Sequence, residues 1–102
     1  MGSDIVAFVD DLMDRSRLSG ALPGTRFVRD VDAAMPADVA IVDLARHADA
    51  VRALRAHSAS LRIVCFGPHV DDVAIDRAER EGADAVMPRS RFFRDPAAAI
   101  SA

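Results

Sequence analysis

The sequence predicts a doubly wound α/β sandwich, a parallel sheet with helices on both faces. Three observations carry that prediction. Strand-like and helix-like segments alternate along the whole chain of 102 residues, with no low-complexity tract, linker or repeat between them. The first, third and fourth strand-like runs are almost continuously apolar, as strands covered on both faces must be. Hydrophobic residues make up 51% of the chain but aromatics only 5%, so the core is aliphatic and small. The length suits one domain, placed at residues 4–101.

The elements follow in order. Ile5–Val9 is the first strand. Leu12–Leu22 is a short helix, with Ser19-Gly20 as its fraying end and Pro23-Gly24 as a turn. Thr25–Arg29 is a weaker second strand. Only "DVDAAMPAD" separates it from the third strand, Val39–Val42, which leaves room for about one helical turn. Ala48–Ser58 is a helix with Val51 and Leu54 inward and Arg52 and Arg55 outward. Leu61–Phe66 is the fourth strand. Val70–Glu81 is a helix with Asp71 and Asp72 in its first turn, where the dipole favours acids, and Gly82 just past its end. Ala83–Met87 is the fifth strand. Asp95-Pro96 reads as a cap followed by proline at the first helical position, opening a last helix through Ile100.

Composition narrows the function. All 13 basic residues are arginine, so no side-chain amine is present for Schiff-base chemistry or a phosphate-loop lysine. The net charge of −3 argues against a duplex-binding surface. One cysteine, Cys65, excludes an internal disulfide framework and a multi-cysteine zinc site, and within its apolar strand it reads as a core residue. No apolar stretch spans a bilayer and no basic-then-apolar leader opens the chain, so the expected compartment is the cytoplasm. His47, His57 and His69 lack metal-ligand spacing. No glycine-rich phosphate loop or nucleophile elbow supports an enzyme.

In a doubly wound sheet the functional crevice lies beyond the carboxyl ends of the strands. The first run ends in Asp10-Asp11, the third in Asp43, the fourth in Gly67-Pro68-His69, and the fifth in Pro88-Arg89-Ser90. Three converging carboxylates repel one another unless a cation joins them. Magnesium is one remedy and Arg89 is the other. One of Asp10 and Asp11 can also cap the first helix. Asp14, Arg15 and Arg17 read as a solvated helix face.

The acidic pair after the first strand, Asp43 in "VAIVDL", and "EGADAVMPRSRF" together resemble the receiver domains of bacterial two-component response regulators. The resemblance covers roughly Asp4 to Ile100. It implies a flavodoxin-like, CheY-like three-layer sandwich with strand order 2-1-3-4-5, shortened here at the second and last helices. It also implies that Asp43 accepts a phosphoryl group from a histidine kinase or other phosphodonor. Asp10, Asp11, Asp43 and the carbonyl of Ala45 would hold magnesium, and Arg89 would stand in for the family lysine. Receivers commonly dimerise through the fourth helix, fifth strand and last helix, where Ile75, Phe92 or Phe93, and Ala97–Ile100 could form an apolar patch. The chain departs from the pattern at Gly67, where receivers place Ser or Thr, at Arg89-Ser90 in place of Lys-Pro, and in the short "LARHADA".

The expected function is therefore a non-enzymatic cytoplasmic signalling module. These departures favour a divergent or pseudo-receiver that acts through contacts with a downstream protein, without nucleic acid or membrane. A stand-alone ligand-binding or scaffold protein that kept the fold and lost phosphotransfer is the alternative.

Overall fold

The computed structural model describes residues 3–68 and 72–101. Of the residues read above, His69, Val70 and Asp71 lie outside these. Five strands form one parallel sheet: β1 (Ile5–Phe8), β2 (Arg26–Phe27), β3 (Val39–Asp43), β4 (Arg62–Gly67) and β5 (Ala85–Pro88). Their order is β2-β1-β3-β4-β5. Among the described residues six helices connect and follow them: α1 (Leu12–Ala21), α2 (Val31–Ala34), α3 (Leu44–His57), α4 (Asp72–Arg80), α5 (Arg89–Arg94) and α6 (Pro96–Ser101). No described helix is long and apolar enough to cross a membrane.

Alternation along the strands divides the core into two layers. Ile5, Ala7 and Val9 face one side, with Ile41, Val64 and Phe66, and pack against Leu18 of α1, Phe92 of α5 and Ala99 of α6. Val6 and Phe8 face the other, with Val42, Ile63 and Cys65, and pack against Ala34 of α2 and Val51 and Leu54 of α3. α4 lies beside α3 on this second side. The continuous apolar runs are thus the signature of a sheet covered twice.

The structure departs from the sequence reading at several element ends. α3 starts at Leu44, directly after β3, because Asp43 caps it; a non-helical His47 (φ −129°, ψ 30°) kinks it where the pattern suggests a start. α1 passes through Gly20 and ends at Ala21. Arg89–Arg94 forms a helix that the sequence pattern does not signal. It stops because the residue before Pro96 is pushed out of helical geometry; Asp95 then caps α6, its Oδ1 accepting from the Ala98 amide at 3.1 Å.

Arg55 corrects another expectation, since it is not an outward residue. Its guanidinium donates to the carbonyls of Gly82, Ser58, Ala59 and Leu61 and to Asp84 Oδ2. It ties the end of α3 to the loop before β5. Asp84 Oδ2 also accepts the Ile63 amide. Gly82 itself closes α4 at φ +117°. The Gly82 amide donates to Glu79 and the Ala83 amide to Ala78, the paired bonds of a Schellman end.

Cys65 is fully buried, and burial pushes its thiol up to about 12, with Asp84 adding to the rise. The chain has no lysine or tyrosine, and arginine stays charged, so Cys65 is the one side chain titrating between its ordinary value of 9.0 and about 12. A raised folded value means the stabilisation is complete below pH 9 and is lost as pH rises toward 12. Above about pH 9, stability should therefore fall by up to about 1.4 kcal/mol per pH unit. Urea unfolding across that range checks this, and Cys65→Ala should remove the slope; a slope that survives in Cys65→Ala would assign it elsewhere.

Candidate functional site

The register places the strand ends on one edge. Phe8 lies opposite Val42, Asp43 opposite Phe66, and Gly67 opposite Pro88. Asp10, Asp11, Asp43 and Arg89 thus emerge together at the carboxyl edge of the sheet, around the β1–β3 switch point. Asp11 caps α1, its Oδ1 accepting from the Asp14 amide at 2.9 Å. Asp43 is 5% exposed and accepts from the Ala45 amide at 3.0 Å.

Arg89 is not bonded to Asp43. Its Nη2 donates instead to Asp14 Oδ1 at 2.6 Å. That bond holds its charge above even the usual arginine range, against the opposing effect of burial, and Asp14, Asp43 and Asp11 add to the rise through their charges. Arg89 is therefore the common cation of three acids, bonded to one and within electrostatic reach of two. Its guanidinium also lies 5.7 Å from the Phe66 ring and 5.2 Å from the Phe93 ring.

Asp14 is the residue that the sequence reading misplaces. It is buried, 2% exposed, and not part of a solvated face. A signal is present, because Asp14, Leu18 and Leu22 recur at four-residue spacing and form one buried stripe. Leu12 and Met13 point outward instead, 78% and 67% exposed. An acid inside and apolar residues outside invert the usual helix pattern. Arg15 is likewise structural: its Nε donates to the Val9 carbonyl at 2.7 Å and its guanidinium covers Phe27.

Asp10 is drawn away from this cluster. It follows Phe8 in the alternation, and its Oδ1 lies 3.0 Å from His47 Nε2 at the kink of α3 and 3.8 Å from Arg29. The His47 bond holds the Asp10 carboxyl below its usual range, with burial opposing and the charges of His47, Arg29 and Arg15 adding. His47 packs edge-on against Phe8. Its role depends on the kink, which no spacing rule reveals.

As placed, each of these acids already has a partner that a divalent cation would have to share or displace. Asp10 is held by His47, Asp14 by Arg89, and Asp11 and Asp43 each cap a helix. Among the described residues no three His, Cys, Asp or Glu side chains are grouped to share a metal. The apolar patch expected around the last helices also changes. Phe92 is fully buried, stacked on Phe66 at 5.0 Å, and Phe93 packs against both rings.

An open parallel sheet in the order 2-1-3-4-5 with helices on both faces is the fold of receiver domains. Solved structures bear this out. A LuxR-family two-component response regulator from Aurantimonas sp. SI85-9A1 superposes with a TM-score of 0.79 at 21% identity, over 99% of this chain and 84% of that one. NtrX from Brucella abortus, in complex with ADP, gives 0.76 at 19% identity over 99% of this chain. A response regulator from Burkholderia pseudomallei, with a phosphorylated aspartic acid, calcium ion and citrate, gives 0.76 at 15% identity over 94% of this chain. The chain spans 26% of NtrX and 64% of the Burkholderia protein. No protein-family model matches the sequence, and the curated proteins give no match.

Proposed function

We propose that this chain is a cytoplasmic pseudo-receiver, a signalling module that keeps the receiver fold and works through protein contacts rather than phosphoryl transfer. The observation that carries this reading is the 2.6 Å bond from Arg89 to buried Asp14, which sets a permanent cation beside Asp11 and Asp43. Aspartyl phosphorylation needs a metal or an equivalent mobile cation to meet the developing charge. Here the positive charge is already committed to a buried partner. Gly67 at the end of β4 offers no hydroxyl to a phosphoryl group, which supports the same reading.

Were the chemistry intact, Asp43 would accept the phosphoryl group and Arg89 would pair with it, with a histidine kinase or small phosphodonor as the source. Incubation with magnesium and acetyl phosphate, followed by intact mass measurement, tests this. The expected result is no phosphate-sized gain and no magnesium-dependent rise in melting temperature. A gain that disappears in Asp43→Asn would overturn the proposal.

A further inference from the structure

We infer that the groove between α3 and α4 is a docking surface for an acidic amphipathic helix of a partner protein. The inference rests on the reading above and gives it a surface. Leu44, Ala48 and Val51 of α3 and Ala78 of α4 line a groove of about 340 Å³, which lies within the common range of binding clefts. An adjoining depression of about 600 Å³ is lined, among the described residues, by Arg52, Arg77 and Arg80, with Val73 and the acid Glu81. Val73 borders both and is 76% exposed. The site therefore has an apolar trough at one end and an arginine rim at the other.

The small alanines let a third helix approach closely, and its apolar stripe would fill the trough. Its carboxylates would then meet the guanidinium forks, which match carboxylates with two parallel bonds. Arg77 and Arg80 already pair with Glu81 and Asp76 one turn away. Both arginines are exposed, and such pairs within one exposed helix contribute little, so they yield readily to a partner's acids. Compensation of the α4 dipole would explain Arg77 and Arg80. It explains neither Arg52 on the neighbouring helix nor the exposed Val73. The chain as a whole carries −3, so this arginine cluster runs against the global sign and selects by local complementarity.

Titration of the isotopically labelled full chain with two synthetic amphipathic helices tests the inference. Both carry the same leucine stripe; one has glutamate and the other lysine at its flanking positions. The acidic peptide should shift amides of α3 and α4, bind at least about tenfold more tightly than the lysine peptide, and weaken with salt. Arg52→Glu with Arg77→Glu should reverse the preference, and Val73→Asp should weaken both peptides. These positions are exposed, and the amide spectrum reports whether each variant stays folded. Shifts confined to other elements, equal affinity for the two peptides, or no binding would overturn the inference. So would tighter binding to anionic lipid vesicles than to the acidic peptide. A failed titration beside an unphosphorylated Asp43 removes this surface and leaves the pseudo-receiver reading standing; a phosphorylated Asp43 removes that reading whatever the peptides do.

Discussion

Arg89→Met should lower the unfolding free energy by about 2–3 kcal/mol. Removing one partner of a fully buried ion pair costs roughly 3–5 kcal/mol, because the other charge is left without compensation. Asp14 is that remaining charge, with a side chain only 3% exposed. The expected loss is smaller because the Arg89 side chain keeps 39% exposure, so water already screens part of the interaction. The loss of the cation from Asp43 and Asp11 acts in the same direction. For a domain of this size the melting temperature should fall by roughly 10–20 °C. Adding Asp14→Leu should restore most of the stability, since apolar replacement of both partners is often neutral. A double-mutant cycle in urea measures the coupling. If Arg89→Met stays within about 0.5 kcal/mol of the parent, the pair is an ordinary surface contact and the central cation of the site has been misassigned.

Gly82→Ala should cost about 3 kcal/mol or more. At φ +117° a side chain is strained wherever it sits, by roughly 1–3 kcal/mol. Here the added Cβ would also lie 2.6 Å from Arg55 Cγ and 2.7 Å from Arg55 Cβ. Those atoms belong to the stem of the residue that satisfies the carbonyls of Gly82, Ser58, Ala59 and Leu61, so moving it breaks bonds shared by the end of α3, the loop after it and the loop before β5. Gly20→Ala supplies the contrast. Gly20 lies within α1, and a methyl group added there would meet nothing within 4 Å beyond its chain neighbours and the backbone of its own helix, so alanine should stabilise by up to about 1 kcal/mol. Thermal melts of the two variants should move in opposite directions. Equal shifts would show that the conformation at residue 82 is not special.

These two expectations differ in how much of their basis is legible in the sequence. Gly82 is legible, because a glycine after a helix ending in charged residues is a local signal, and the helix end closes on its own neighbours. Arg55 is not, since its acceptors lie in α3's own end, the following loop and the loop before β5, and only packing brings them within reach of one side chain. Asp14 stands between the two cases. Its four-residue spacing to Leu18 and Leu22 is visible, yet an acid on an apolar stripe makes sense only when its cation is known. That cation is 75 positions away in sequence.

What the chain determined locally is the sheet and its order of events: apolar runs long enough for strands, glycine and proline where turns fall, and acids placed just past the strands. Backbone hydrogen bonding and burial act over a few residues, so periodicity and punctuation suffice to encode them. Which acid meets which cation was decided only by the tertiary structure. Parallel pairing brings β1, β3 and β5 to a common edge, the alternation of side chains sends Asp10 toward His47, and the buried face of α1 delivers Asp14 to Arg89. Electrostatic partners depend on distance and solvent access, and for residues far apart in the chain neither exists until the layers have packed.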